Sequence, residues 1–414
     1  MKIAVIGAGI SGMATSWLLH KEHEIYLYEK NNYIGGHSNT ALINYNGKEI
    51  AVDTGFIVFN HQTYPHLKAL FEFLGVKTKP SNMSFSASID NGKIEYSGQN
   101  LATVFGQKKN LLNWKFLLMI LDILRFNKNA AKIIRSPKNP TIGEFLDEIG
   151  AGSYFQKFYL LPMSAAIWSC PLNLIKNYPA KSLVRFFLNH GLLKVSNQPQ
   201  WYTVEGGSKE YVKLLCADFK DRIFLNSEIK KIKKLPNNKL EVLGEIYDKV
   251  VLACHSNQAL NLIDDFGNEP KNLLKKIGYQ KNIATLHCDE NLMPKSKKLW
   301  SSWNYLYDCK DQQNQGLALS YWMNLLQGID KNYPLFVTLN STHKINPKKI
   351  FAEFEYEHPI FNSEAVESQS KFDQIQGKDN IYFCGAYLNY GFHEDGLLSA
   401  MNIAQKLGIE APWR

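Results

Sequence analysis

The sequence predicts an α/β fold, an open parallel sheet of Rossmann type interleaved with a second, α+β domain. Three observations carry this. Residues 2–6, K-I-A-V-I, form an apolar run that Gly7-Ala8-Gly9-Ile10-Ser11-Gly12 closes before a helical pattern through Met13, Trp17 and Leu18. Residues 24–29, E-I-Y-L-Y-E, repeat the strand pattern and end in an acid. Near the other end, residues 379–384, D-N-I-Y-F-C, pass through Gly385-Ala386 and a loop into a helix carrying Leu397, Ala400, Ile403, Ala404 and Leu407. Short apolar runs bounded by glycine read as strands buried on both faces, the pattern of parallel sheets.

Each glycine of G-x-G-x-x-G has a separate task. Gly7 allows a tight turn, Gly9 lets a pyrophosphate approach the backbone, and Gly12 lets helix and strand pack closely. The N-terminus of the following helix offers free N–H groups and a positive dipole end to phosphates. Glu29 stands where a carboxylate accepts hydrogen bonds from ribose hydroxyls. The motif therefore predicts dinucleotide binding through Gly7, Ala8, Gly9, Ile10, Ser11, Gly12 and Glu29.

Composition bounds the rest. The chain has 414 residues, 45 % hydrophobic and 21 % charged, which implies two or three globular domains and excludes disorder or coiled coil as a global description. The net charge of +9 admits nucleic acid, anionic lipid or an anionic cofactor and selects none of them. No nucleic-acid module is recognisable, so nucleic acid is not an expected partner. Cys170, Cys216, Cys254, Cys288, Cys309 and Cys384 form no C-x-x-C pair, and no His or Cys spacing suits a metal. A reducing compartment follows from that usage. Met1 and Lys2 run straight into the first strand, so no leader is expected, and no apolar run reaches the about 20 residues that span a bilayer. A cytoplasmic protein is expected, with peripheral contact at the inner membrane left open.

After Glu29 comes Lys30-Asn31-Asn32-Tyr33-Ile34-Gly35-Gly36-His37-Ser38-Asn39-Thr40. With the two flanking motifs, this segment resembles the flavin-containing amine oxidoreductase superfamily, which follows its acid with Gly-Gly-Arg; His37 stands here in place of the arginine. The resemblance implies an amine-oxidase-like fold, FAD as cofactor, and cofactor contacts from Lys30, Gly35, Gly36, His37 and Ser38. It also implies a second flavin segment at Gly385, Ala386, Gly396 and Leu397, with Gly396 and Leu397 as backbone donors and the last helix N-terminus facing the flavin. A dipole there stabilises the charge of a reduced flavin. Trp201-Tyr202-Thr203-Val204-Glu205-Gly206-Gly207-Ser208 is similar to the family segment that returns the chain to the cofactor domain, and Val242 falls near the expected adenine side. The stretches Gly35-Gly36-His37, Trp168-Ser169, Leu286-His287-Cys288-Asp289, Trp300-Ser301-Ser302-Trp303-Asn304-Tyr305 and Gly391-Phe392-His393-Glu394-Asp395-Gly396 resemble a bacterial branch associated with cyclopropane-fatty-acid synthase-like enzymes. That branch implies a lipid or acyl substrate and a lipid methyltransferase as a partner.

On this reading the FAD domain comprises residues 1–62, 196–262 and 375–414, and the substrate domain 63–195 and 263–374, mainly helical over about 105–195. Residues 84–94 predict a hairpin turning at Asp90-Asn91-Gly92, and 283–289, 316–323 and 335–339 predict strands. Residues 111–126 are strongly apolar yet hold Lys115, Asp122 and Arg125, too charged to span a bilayer. They read either as a basic amphipathic helix on anionic lipid or as a buried helix with solvated ends. Pro137 and Pro140 close that region before a new helix near Thr141 and Glu144.

The resemblance implies hydride transfer from a substrate C–H to flavin N5, in oxidation or desaturation of an acyl chain. Amine oxidation, an isoprenoid desaturase and a non-catalytic FAD-bound partner of a lipid-modifying enzyme stand as alternatives. The superfamily's flavin-bridging lysine aligns with Asn282, one residue after Lys281, which argues against simple amine oxidation. By the same resemblance, Phe392 falls near an aromatic position that faces the flavin in the superfamily, where a tyrosine is common. His393, Glu394 and Asp395 are acid–base candidates if a carboxylate orients the imidazole; otherwise the loop holds the ribityl chain and Asp395 is the N-cap. His37 is read as a packing residue beside the cofactor or as a covalent attachment point. Trp168, Trp303, Tyr305 and Trp322 are candidate cleft walls.

Overall fold

The computed structural model describes residues 1–168, 172–189, 191–193, 198–308, 317–341 and 343–413. Ser169, Cys170 and Cys309 lie outside them, as does the side chain of Trp168. Five parallel strands form the first sheet, in the order Ile223–Phe224, Glu24–Tyr28, Lys2–Ile6, Lys249–Leu252 and Ile381–Phe383. Ile3 lies opposite Ile25 and Lys249, and Val250 opposite Ile381.

Both faces of this sheet are covered. Ile3, Val5, Ile25, Leu27 and Val251 pack under the helices Ile10–Leu19, Pro65–Leu74, Lys209–Cys216 and His393–Lys406. Ala4, Ile6, Val250, Leu252, Ile381 and Phe383 face the other way, against Leu240, Val242, Tyr247, Leu262 and Leu274. Successive strand residues alternate between faces, so the unbroken apolar runs in the sequence serve two cores at once.

The packing moves the domain boundaries. Leu67, Leu70 and Phe71 belong to the first core, and Leu273, Leu274, Ile277, Ala365 and Phe372 to the second. Cuts at 62/63, 262/263 and 374/375 therefore fall beside elements that pack with the parallel sheet.

The second sheet has seven strands, ordered Ile350–Pro359, Tyr279–His287, Phe336–Leu339, Leu317–Trp322, Trp303–Tyr307, Phe85–Ile89 and Ile94–Ser97. Only the pair Trp303–Tyr307 with Phe85–Ile89 is parallel. The hairpin at Asp90-Asn91-Gly92 forms as the sequence predicts, with positive φ at all three residues. Another hairpin, Thr40–Tyr45 with Lys48–Asp53, turns at Asn46-Gly47 and packs Ile43, Ile50 and Val52 against Leu286, Tyr321 and Val337.

The helical part covers the far end of the seven-stranded sheet. Its longest helix, Trp114–Arg135, is capped by Asn113 and stops before Pro137. It buries Phe116, Met119, Phe126, Ala130 and Ile133 and continues nine residues beyond the apolar stretch. Thr141 and Glu144 then form a reciprocal capping box.

Candidate cofactor and substrate cleft

A cleft of about 1010 Å³ runs from the C-terminal edge of the parallel sheet to the seven-stranded sheet. The three motif glycines divide their work by what surrounds them. Gly7 has φ +104°, and a Cβ there would lie 2.8 Å from the Ala253 carbonyl oxygen. At Gly12 a Cβ would lie 1.8 Å from the Gly7 oxygen, so the helix rests on the turn itself. At Gly9 a Cβ would meet nothing within 4 Å, because the loop faces the open cleft there. Glu29 accepts from the backbone N–H groups of Ala8 and Asn31, at 2.8 and 2.9 Å, and fixes the loop against the end of its strand. Gly7, Ala8, Gly9, Ile10, Ser11, Glu29 and Lys30 all line the cleft; Gly12 supports it from behind.

Gly35 donates to the Ala8 carbonyl at 2.8 Å, and a Cβ on Gly36 would lie 3.1 Å from the Gly9 Cα. Two glycine loops thus meet with no room for a side chain between them. His37 follows, stacked on Tyr356 at 5.0 Å and beside His358 at 5.1 Å. Burial and the neighbouring imidazoles hold His37 well below the usual histidine range. Its Nε2 is buried and has no hydrogen-bond partner among the described residues.

Ser38 does not line the cleft. Its hydroxyl bonds the Tyr211 hydroxyl and His393 Nε2, the latter at 2.9 Å, and Tyr211 also bonds His393 Nε2, at 2.6 Å. The His393 ring lies flat on Phe56, with centroids 3.9 Å apart. Burial pushes its imidazole down to about 3, so it stands neutral. His393, Phe392, Gly385 and Ala386 all reach the cleft.

The proposed acid–base pairing is corrected here. Glu394 points away from His393 and accepts from the His66 and Leu67 N–H groups, both at 2.9 Å. It caps the helix Pro65–Leu74, and burial pushes it up to about 7. Hydroxyls, not a carboxylate, orient the imidazole. Asp395 is not the N-cap but sits at the third helical position, accepting the Phe392 N–H at 2.8 Å. Gly396 donates to the Phe392 carbonyl within the helix, so neither it nor Leu397 is a free donor. Gly396 serves packing instead, since a Cβ would lie 2.7 Å from Ile10 Cγ2. The N–H groups without a helical acceptor precede it.

Other expectations also shift. Val242 is fully buried in the small antiparallel sheet, and the cleft beside Glu29 is formed instead by Ser227, Glu228, Ile229 and Lys230. Asn282 is buried and donates to His358 Nδ1 at 2.8 Å. Lys281 stays at the exposed rim, paired with Glu355 at 3.0 Å. Trp303 lines the cleft, whereas Tyr305 is fully buried in the helical core and Trp322 packs on Trp300 and Phe336.

Sequence reasoning missed Asp53-Thr54-Gly55-Phe56-Ile57-Val58, whose last four residues form the cleft floor. Asp53 accepts from the Thr40 hydroxyl, the Ser208 N–H and hydroxyl, and the Gln327 amide, at 2.6 to 3.1 Å. It ties the hairpin to the Gly206-Gly207 turn and to the substrate domain, and burial raises it to about 6. The Asn46-Gly47 turn was the available signal for this hairpin.

The cleft has two characters. At the edge strands of the seven-stranded sheet it is polar, with Lys281, Glu355, Glu357 and His358 beside the Glu29 end. Under the central strands it is apolar, walled by Ile57, Val58, Tyr64, Met83, Phe186, Trp201, Trp303, Tyr321 and Leu326. The donor set fits FAD: an acid beside a glycine loop, an open backbone at Gly9, an unpartnered buried His37 nitrogen and an aromatic chamber beyond. Among the described residues no group of acids, histidines and cysteines is placed to hold a metal.

Comparison with known proteins gives the same architecture. Residues 5–74 match the family described as NAD(P)-binding Rossmann-like domain. AofH of Mycobacterium tuberculosis, whose name assigns it provisionally to the flavin-containing monoamine oxidases, is 24 % identical over 240 residues, 56 % of this chain and 51 % of that protein. The chain thus spans about half the length of this curated relative. A CLA-producing fatty acid isomerase from P. acnes superposes with TM-score 0.68 at 15 % identity, covering 98 % of both chains. Putrescine oxidase bound to putrescine superposes with TM-score 0.68 at 14 % identity, covering 98 % of this chain and 99 % of that one. A Rossmann-like match over residues 5–74, a parallel sheet completed from distant segments and a seven-stranded sheet closing the cleft give this chain the fold of the FAD-dependent amine oxidases.

Proposed function

We propose that the chain is an FAD-dependent oxidoreductase that oxidises a C–H bond of an apolar substrate, with a lipid acyl chain as the substrate class. One observation carries the reading: the cleft continues past the cofactor segment into a chamber walled by aromatic and aliphatic side chains. Bound FAD supplies a hydride acceptor. The chain's own residues hold the two loops, keep His393 neutral between Ser38 and Tyr211, and present Phe392 and Phe56 beside the reacting region. Trp303 and Tyr321, edge to face at 5.3 Å, form one wall of the chamber. Methylene groups gain from burial against such aliphatic and aromatic walls. The fatty acid isomerase shows that this fold handles an acyl chain in another protein.

Amine oxidation is the second reading, favoured by the names of AofH and putrescine oxidase. The two separate cleanly in one experiment. Purified protein is mixed anaerobically with membrane lipid extract, methylated phospholipids or a panel of amines, and flavin absorbance is followed. Bleaching by lipid alone is expected. Bleaching by an amine moves the protein to amine oxidation, and no bleaching by any compound favours a non-catalytic flavoprotein that assists a lipid-modifying enzyme.

A further inference from the structure

The helix Trp114–Arg135 is apolar on two faces. One face is buried in the helical core. The other, at Trp114, Leu117, Leu118, Leu121 and Leu124, is 39 to 64 % exposed. Spacings of three and four residues set these side chains on one stripe. The preceding turn adds Leu111 and Leu112, the latter 91 % exposed. A contiguous apolar surface of this kind is rare on a protein that meets only water.

Its rim is cationic. Lys108, Lys109, Lys115, Lys128, Lys132, Arg135 and Lys138 are exposed, and among the described residues none of them pairs with a carboxylate. The single acid between 107 and 140, Asp122, is buried, bonds Arg125 at 3.0 Å and accepts the Gly152 N–H. Lys115 reaches back over the Trp114 ring, so its charge stays beside the apolar stripe. Among the described residues no helix is long and apolar enough to cross a membrane.

We propose that this face docks the protein on an anionic lipid bilayer, with the helix lying in the plane of the headgroups. Leucines and a tryptophan enter the acyl boundary while lysines meet phosphates at its edge. A second copy of the chain is a poor occupant, since a two-fold pairing would set the same unpaired cations against each other. The placement also has a direction. The helix Ala180–Asn189 lies behind the docking helix, where Phe187 meets Phe126 at 6.1 Å, and its Phe186 stacks on Phe392 in the cleft wall at 4.9 Å. One helix therefore separates the bilayer face from the apolar chamber. The docking inference stands on the surface alone and holds whichever substrate the cleft takes.

The full chain is floated with vesicles of phosphatidylcholine and with vesicles containing phosphatidylglycerol. Flotation with the anionic vesicles only, released by salt, is expected. A Leu118→Asp, Leu121→Asp double variant should lose at least about tenfold in vesicle partition, with thermal stability and flavin content unchanged, because both side chains are half exposed. Lys108→Glu, Lys109→Glu, Lys115→Glu should lose binding as well. Three results overturn the proposal: no flotation of the unmodified chain, equal binding to neutral vesicles, or a double variant that binds as before. A dimer that the double variant dissolves also overturns it and makes the face an interface between copies.

Discussion

The three glycines of the first loop make contrasting demands on a substitution. A Gly9→Trp side chain projects into the open cleft, so the variant should fold, melt like the flavin-free wild type, and purify without flavin absorbance. Gly12→Val is different in kind, since its Cβ would penetrate the Gly7 carbonyl, and loss of folded protein is expected. Circular dichroism with a visible spectrum separates the two. His393 supplies a pH test. Its folded-state value of about 3 lies below the unfolded 6.5, so the unfolded chain binds a proton first on acidification. That group's contribution is complete above pH 6.5 and falls as pH drops toward 3. His393→Gln removes the titration, so the wild type should lose up to roughly 2 kcal/mol relative to the variant between pH 7 and pH 5. Melting curves at those two pH values check the sign.

At the scale of elements, the reach of sequence reading followed the range of the interactions. The first strand, turn and helix were legible because the pattern is written in one short stretch, where Gly12 rests on the Gly7 carbonyl of its own turn and Gly9 is left facing the open cleft. The role of Glu394 was not, because its partners His66 and Leu67 lie more than 300 residues away. Val242 was misplaced for a related reason. Its strand pattern was correct, but the cleft beside Glu29 is built by residues 227–230, which carry no periodic signal. Trp303 and Tyr305 share one strand face by alternation, and only the helical part covering Tyr305 separates their fates. The capping role makes a prediction: Glu394→Ala should destabilise by about 1–2 kcal/mol and leave the rate of flavin reduction within about threefold. A large loss of rate at unchanged stability would restore it as an acid–base group.

Across the whole molecule, Asp53 shows how the domains are joined. Its carboxylate gathers the hairpin, the Gly206-Gly207 turn and Gln327 of the substrate domain in one buried knot. Asp53→Ala leaves several donors without an acceptor and should cost about 3 kcal/mol, seen as a lower denaturant midpoint. The cofactor, bound across the same junction, should recover part of that loss by mass action. A resemblance gave the fold as a whole, while the domain edges needed the packing, since the helices Pro65–Leu74 and Asn268–Lys275 carry no mark in sequence of the side they join.

The parallel sheet takes its outermost strand, Ile381–Phe383, from far along the chain, and the helix His393–Lys406 closes over the first helix. During synthesis the glycine loop is therefore made long before the segments that complete its sheet and cover it. Strands Lys2–Ile6 and Glu24–Tyr28 wait for the strand Lys249–Leu252 and for the helix His393–Lys406 that covers their face, with apolar surface meanwhile open to water or a chaperone. A nascent chain stalled at residue 375 should hold no flavin, and loading should follow synthesis and emergence of the segment 381–406.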